Sequence, residues 1–235
     1  MNLLAFDTST ETLSVALQAG AGAPLCHVAP GGAHASATLI PCIEALLAQA
    51  GLSLRALDAI AFGRGPGSFT GLRTACAVAQ GLAFGADRPL LALDTLLAVA
   101  EEARAQGAGG RIVALLDARM GEVYAARYAH EGGAWRVLQP PWLGAPEAVA
   151  AEPGEVLAGN AFAALGDRLP PGVPRVEVLP AATALLRLAP AALAAGQAVA
   201  AADALPLYIR DKVAQTTADR EQARAVPARA NAPDR

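Results

Sequence analysis

The segment RIVALLDAR, residues 111–119, repeats the pattern of LLAFDT, residues 3–8, in which an apolar run ends in an aspartate. Short apolar runs bounded by turn residues predict buried β-strands. Two further strand-like segments follow each run at short spacing, so each half of the chain predicts an antiparallel meander. These segments are LSVALQAG (13–20) and PLCHVAP (24–30) in the first half, and EVYAARYAH (122–130) and WRVLQPPWL (135–143) in the second.

Helices that alternate with strands follow each meander. Gly51 is a suitable end for the first of these helices, and Ser68 is a suitable N-cap for the second. Pro41 predicts a kink or a late start of the first helix, because proline removes a backbone donor and clashes with the preceding turn. The predicted segments of the first half are helix 35–50, strand 56–65, helix 68–86, strand 89–94 and helix 95–107.

The same order of elements, written twice, predicts an α/β protein with two similar lobes, each built on a mixed sheet flanked by helices. We expect an N-terminal lobe over residues 1–108, a C-terminal lobe over residues 109–215 and a flexible tail over residues 216–235. This duplication is typical of the actin-like and Hsp70-like fold, which is also called ribonuclease H-like. In that fold, the two lobes grip the phosphates of a nucleotide between a pair of aspartate-bearing hairpins.

The composition argues against several classes of protein. With 235 residues, 54% of them hydrophobic and 17% charged, the chain can bury a full core and is too apolar for disorder. A net charge of −3 argues against a general nucleic-acid coat. The widely spaced Cys26, Cys42 and Cys76 predict buried, reduced thiols. Because the sequence has neither a signal-peptide pattern nor a membrane-spanning run, we expect a soluble, cytoplasmic protein without a membrane partner.

Two aspartate turns are candidate phosphate sites. Asp7, Thr8 and Ser9 offer a carboxylate and hydroxyls that could hold magnesium or phosphate, but the same residues could form a turn that bonds only its own backbone. The second turn, residues 117–121, carries Ala118, Arg119 and Met120 where a phosphate grip needs glycine. A working ATPase cleft is therefore not expected, although a small-molecule kinase or ATPase that uses Asp7 and Asp117 stays open as the alternative.

Metal and nucleophile chemistry have little support. The histidines His27, His34 and His130 form no HExxH motif, and no two of them lie one helical turn apart. Ser68 does not satisfy the G-x-S-x-G pattern of a nucleophile elbow, because Thr70 stands where that pattern needs glycine. We therefore predict no catalytic residue and no metal ligand in this chain.

The loop GRGPGSFTGLR, residues 63–73, joins a predicted strand to a predicted helix. Its glycines permit close backbone approach, and the exposed amides at the start of the helix would favour an anion. The loop lacks the lysine of a P-loop. Spacing alone leaves open whether it is only a tight turn or meets a ligand or partner.

Helices 35–50 and 68–86 are apolar on more than one face, which requires cover on two sides. One side can be the lobe's own sheet, and the other needs a second chain or the other lobe. We predict that Ile43 and Cys76 lie on outer faces, where a charged residue would weaken association more than it unfolds the monomer. The full predicted set for the loop and partner interface is Leu39, Ile43, Leu47, Arg64, Gly65, Pro66, Gly67, Ser68, Phe69, Arg73 and Cys76.

Four blocks, taken together, resemble the TsaB (YeaZ) family, a degenerate relative of TsaD. They are LLAFDTST (3–10), GRGPGSFTGLR (63–73), LLDARMGEVYAARY (115–128) and PLYIRDKVAQTT (206–217). The resemblance implies the actin-like fold and a role in making N6-threonylcarbamoyladenosine in tRNA. A separate enzyme makes threonylcarbamoyl-AMP, and TsaD, with TsaB and the ATPase TsaE, transfers the carbamoyl group to tRNA.

The resemblance also implies that this chain is a non-catalytic subunit without a cofactor of its own. It would form a heterodimer with TsaD through a helical bundle, permit docking of TsaE and meet tRNA only through the complex. ATP, ADP and metal would then be bound by the partner subunits, and the isolated chain could form a homodimer. In TsaD a metal is held partly by H-x-x-x-H on the first long helix. The matching positions here are His34 and Thr38, so one histidine is lost.

Overall fold

Two mixed five-stranded sheets form the framework of the protein, and helices flank both. The computed structural model describes residues 1–210. The predicted tail and the end of the block 206–217 therefore lie outside the described residues. No helix within residues 1–210 is long and apolar enough to span a lipid bilayer.

The first sheet has the strand order β3-β2-β1-β4-β5. Its meander is antiparallel, and β4 and β5 are added in parallel to β1. The strands are β1 Leu3–Asp7, β2 Thr12–Gln18, β3 Leu25–Pro30, β4 Ala59–Gly65 and β5 Leu90–Asp94. The helices of this half are α1 Ala35–Ala50, α2 Phe69–Ala86 and α3 Thr95–Ala105.

The second sheet repeats this topology with the order β10-β9-β6-β7-β8. Again the meander is antiparallel and the outer pair is parallel to the first strand. The strands are β6 Arg111–Asp117, β7 Val123–Glu131, β8 Ala134–Gly144, β9 Val156–Gly159 and β10 Arg175–Glu177, and the helices are α4 Phe162–Leu165 and α5 Ala182–Ala194. The predicted duplication and the two-lobed α/β fold class are confirmed.

Local signals set the ends of α1 and α2. Gly51 ends α1 with a left-handed φ of 64°, and the Ser68 hydroxyl accepts a hydrogen bond from the Gly71 amide at the start of α2. Pro41 lies within α1 and does not delay its start at Ala35. The carbonyl that loses its donor to this proline belongs to Ala37, which is exposed and can bond water instead.

Helices α3 and α5 pack between the halves. Apolar residues of α3 join a core with the second sheet, whereas those of α5 join a core with the first. The Ala182 amide at the start of α5 donates to the Ser14 hydroxyl of β2 at 2.9 Å. The chain passes from the first sheet to the second between Asp94 and Arg111. A division of the sequence near residue 108 therefore separates the two sheets but not two independently packed units.

The core over the first sheet corrects one prediction. Ile43 and Cys76, which we predicted on outer faces, are only 1% and 5% exposed and pack with the sheet residues. Leu39 and Leu47 lie on the same buried side of α1. The outward assignment was wrong because α1 and α2 carry alanine on their solvent sides, so apolar character does not distinguish the two faces.

Candidate functional site

The glycine loop packs directly on the first aspartate turn. A Cβ atom on Gly63 would collide with the Asp7 carboxylate, one on Gly67 with Ser9, and one on Gly71 with the Thr8 carbonyl oxygen. The Thr8 hydroxyl donates to the Gly71 carbonyl at 2.7 Å. These glycines therefore let the end of β4, the loop after it and the start of α2 lie against residues 7–9, with no room for a side chain between them.

The Asp7 carboxylate is hydrogen-bonded within its own turn and to the start of α3. Asp7 Oδ1 accepts from the Ser9 amide at 2.8 Å and from the Ser9 hydroxyl, and Oδ2 accepts from Thr95 Oγ1 at 3.2 Å. Asp7 and Thr8 are buried, and of the three predicted phosphate-site residues only Ser9 lines the cleft between the lobes. The bonds from Ser9 fit the alternative of a turn bonded to itself, whereas Thr95 and Gly71 are partners from elsewhere in the chain. Asp7 and Thr8 do not reach the cleft.

Burial raises the pKa of the Asp7 carboxyl above its ordinary value, although the Ser9 and Thr95 donors oppose the shift. The folded chain therefore holds this proton more tightly than the unfolded chain.

As pH rises from about 4 through the raised pKa of Asp7, the wild-type chain is expected to lose unfolding free energy relative to Asp7→Asn, by at most about 1.4 kcal/mol per pH unit. Urea unfolding of both chains across this range measures the difference. Equal pH dependence in the two chains would contradict the prediction.

The second aspartate turn is occupied by its own arginine. Asp117 Oδ1 accepts from the Arg119 amide at 2.7 Å, and Oδ2 pairs with the Arg119 guanidinium at 3.0 Å. Arg119 and Met120 adopt left-handed φ values of 63° and 58°, which are unusual without glycine. Both residues line the cleft. The Asp117 carboxylate is thus hydrogen-bonded within its own turn.

A cleft of about 750 Å³ lies between the two lobes. The first lobe contributes residues from its aspartate turn and from the start of α2, and the second contributes its own turn and Asn160. Residues 207–210 also line the cleft. No group of three or more histidine, cysteine or acidic side chains that could hold a metal is found within residues 1–210.

A segment near the end of the described chain links the two lobes across this cleft. The Leu207 amide donates to the Arg64 carbonyl of β4 at 2.7 Å. Arg210 donates to the Ala118 carbonyl at 2.9 Å and pairs with Glu122 at 2.7 Å. We call residues 207–210 the strap. These residues belong to the block 206–217 that resembles the TsaB family, but no pattern in the sequence predicts that they contact both lobes.

The predicted loop residues lie in different environments, and only some of them are exposed. Arg64, which belongs to the set predicted for the loop and partner interface, pairs with Asp94 of its own chain at 2.6 Å. Gly65 and Pro66 are buried, whereas Phe69 and Arg73 are exposed. Phe69 and Arg73 lie at the mouth of the cleft beside the strap. Whether they touch a partner stays a prediction.

The solvent side of α1 and α2 carries large apolar side chains that sequence reasoning did not select. Ile40 is 43% exposed on α1, and Phe84 is 85% exposed near the end of α2. Ala77 and Gly81 lie exposed on the same side of α2. We call the exposed surface of the two helices the outer face. Ala77 and Gly81 would allow another helix to approach closely.

Comparison with known proteins identifies the family. A family model described as TsaD, tRNA N6-adenosine threonylcarbamoyltransferase, matches residues 27–222. The tRNA threonylcarbamoyladenosine biosynthesis protein TsaB of Escherichia coli is 38% identical over 225 residues, which cover 91% of this chain and 96% of that protein. TsaB of Haemophilus influenzae is 44% identical over 131 residues, which cover 56% of this chain and 55% of that protein.

Solved structures agree with this relationship. YeaZ from Pseudomonas aeruginosa superposes with a TM-score of 0.81 at 42% identity and covers 88% of this chain and 99% of its own. A second structure, described as an uncharacterized protein with similarity to peptidase YEAZ from Pseudomonas aeruginosa, gives a TM-score of 0.82 at 42% identity, over 89% of this chain and 99% of its own. The resemblance predicted from the four sequence blocks is confirmed, and the chain belongs to the TsaB family of tRNA threonylcarbamoyladenosine biosynthesis proteins.

Proposed function

We propose that this chain is a non-catalytic subunit of the cytoplasmic machinery that makes N6-threonylcarbamoyladenosine in tRNA. It holds TsaD in an active arrangement and permits TsaE to dock. The observation that carries the proposal is the state of the two aspartate turns. Asp7 is buried in bonds to its own turn and to Thr95, and Asp117 is paired with Arg119. Both carboxylates are thus engaged within the chain, and this supports a cleft that does not organise a metal or a phosphate.

In this proposal, TsaD catalyses the transfer of the threonylcarbamoyl group. TsaD would supply the catalytic site, ATP, ADP and metal would be bound on partner subunits, and tRNA would meet this chain through the complex. His34 supports this assignment, because it lies exposed at the start of α1 without a second histidine on the next turn. The Thr38 hydroxyl, which stands in that position, donates to the His34 carbonyl.

The outer face is the proposed surface for TsaD. Ile40 and Phe84 are among the large apolar side chains exposed in the described residues, and each lies on one of two adjacent helices. Large apolar side chains that enter pockets of a partner commonly carry most of the binding free energy of an interface. The same surface would serve a homodimer of the isolated chain, so the two assemblies would compete.

Reconstitution tests the function. TsaD and TsaE are incubated with substrate tRNA, threonine, bicarbonate, ATP and the enzyme that makes threonylcarbamoyl-AMP, with or without this chain. Mass spectrometry of the digested tRNA is expected to find the modified nucleoside only when this chain is present. Full modification without it would refute the proposal. Turnover of Mg-ATP by this chain alone would instead support the kinase or ATPase alternative.

Phe84→Asp is expected to weaken binding to TsaD by roughly a hundredfold, because a desolvated carboxylate would replace an apolar anchor. Isothermal titration against TsaD measures this change. Val137→Asp is the matched control: Val137 is 53% exposed on β8 of the second lobe, so the same replacement there should leave binding unchanged. Equal binding by the Phe84 variant and the wild-type chain would rule out the outer face as the TsaD surface.

A further inference from the structure

Strand β3 forms an open edge of the first sheet. It pairs with β2 along one side, and no strand within residues 1–210 pairs with its other side. Cys26 and His27 are exposed, and Val28 between them and the strand end is 67% exposed. An edge strand presents a row of backbone donors and acceptors to any strand that can approach it. β3 is therefore able to accept a further strand.

The other three sheet edges of the described chain are protected. At the β5 edge, the Leu90 amide donates to the Val199 carbonyl at 3.0 Å, and the Val199 amide donates to the Leu90 carbonyl at 2.9 Å. Strand β8 carries Pro140 and Pro141, and β10 has only three residues, two of them charged. Folded proteins use prolines, charges and short strands in this way to prevent pairing between edges. β3 has no charged residue, and its proline is its last residue.

The sequence of β3 is complementary to itself. Residues 24–30 read PLCHVAP, so that proline faces proline and apolar faces apolar when the segment is reversed about His27. In an antiparallel pair of two copies centred on this histidine, Cys26 of one copy faces Val28 of the other. A free cysteine packs as a small apolar side chain, and no like charges are brought together. The terminal prolines cannot donate to the ladder, so they confine it to residues 25–29 of each copy.

The side chains that would meet are ones that the chain itself leaves uncovered. Cys26 lies opposite Ala16 of β2, and Val28 lies opposite Ser14. Ala16 packs in the core that includes α5, and Ser14 accepts a hydrogen bond from the first amide of that helix. Cys26 and Val28 thus share the face of the sheet that α5 covers over β2, but both remain exposed on β3. A second copy of the same strand would place apolar side chains beside them.

We propose that β3 is an interface for a second copy of this chain, with the two β3 strands antiparallel and centred on His27. The first sheets of the two copies then form one continuous sheet, which is a common way for an edge strand to bind. This surface is distinct from the outer face, which consists of the solvent sides of α1 and α2. The proposal therefore holds whether or not the outer face binds TsaD.

Cross-linking tests the register in the full-length chain that carries Phe84→Asp, which puts a charge on the outer face. His27→Cys together with Cys26→Ser is oxidised with copper-phenanthroline, because position 27 would face itself at a Cα separation of about 5 Å, within reach of a disulfide. Arg136→Cys together with Cys26→Ser is the matched control, since Arg136 is exposed on the edge strand β8. We expect at least roughly tenfold more covalent dimer from position 27. Equal yields, or cross-links of position 27 to added TsaD and not to a second copy, would overturn the proposal.

Analytical ultracentrifugation of the Phe84→Asp chain tests the association itself. Val28→Lys is expected to raise the dissociation constant of the dimer at least roughly tenfold, because a lysine on an edge strand opposes pairing. Val137→Lys should leave this constant unchanged, since Val137 is 53% exposed on β8. Unchanged thermal midpoints show that each variant is folded. A Phe84→Asp chain that stays monomeric at millimolar concentration, or equal association of the two lysine variants, would overturn the proposal.

Discussion

Replacing Ile43 with aspartate is expected to unfold the isolated chain. Ile43 is 1% exposed and lies among the side chains that join α1 to the first sheet, where a carboxylate would find neither water nor a cation. Burying an unpaired charge and removing the isoleucine side chain together should cost at least about 4 kcal/mol, a large share of the stability of an ordinary domain. Circular dichroism and urea unfolding measure the loss.

Ile40 provides the matched control for this prediction. It is the same residue type on the same helix, three positions earlier, but it is 43% exposed. Ile40→Asp should change the unfolding free energy by no more than about 0.5 kcal/mol, as surface replacements usually do, while weakening binding to TsaD. If the Ile43 variant were as stable as the Ile40 variant, the buried side of α1 would be assigned wrongly.

Replacing Gly71 with alanine is the second large effect. The new methyl group would collide with the Thr8 carbonyl, a backbone atom that cannot swing away as a side chain can. Helix α2 or the first turn must therefore shift, and the hydrogen bond from Thr8 to Gly71 is strained as well. We expect a loss of about 3 kcal/mol of unfolding free energy, measured by urea titration.

Gly81 separates this collision from the general effect of alanine in a helix. It lies ten residues further along α2, and a Cβ atom there would meet nothing within 4 Å. Gly81→Ala should stabilise the chain by up to about 1 kcal/mol, because alanine favours the helix. If both variants lost stability to the same extent, the close contact between Gly71 and Thr8 would not be the cause.

The fold could be predicted from the sequence because its strongest signals are local and occur twice. The apolar runs that end at Asp7 and Asp117 predict the first strand of each sheet, and Ser68 and Gly51 mark helix ends through bonds within a few residues. In the first sheet, parallel addition of β4 and β5 follows from the helices α1 and α2 that precede them. Each of these inferences depends on chemistry that the neighbouring residues supply.

The site was harder to predict because its contacts join distant parts of the chain. Asp7 accepts a hydrogen bond from Thr95, and Arg73 donates one to Tyr208. These partners are too far apart in the sequence for a local pattern to predict the contact. The face of α1 was misassigned because alanine on the solvent side resembles alanine in a core. Phe84 was not selected because its exposure depends on how α2 is rotated on the sheet, which no local pattern reports.

The packing of α5 on the first sheet bears on how the protein is made. Leu185 and Ala189 of this helix complete the core that includes Leu3 and Ala61, so β1 and β4 are covered only after a helix made more than 100 residues later. Domains usually fold as units in the order of synthesis. Here the nascent first half keeps apolar surface uncovered until α5 has been made, and a fragment that stops before residue 182 would leave that surface exposed to water.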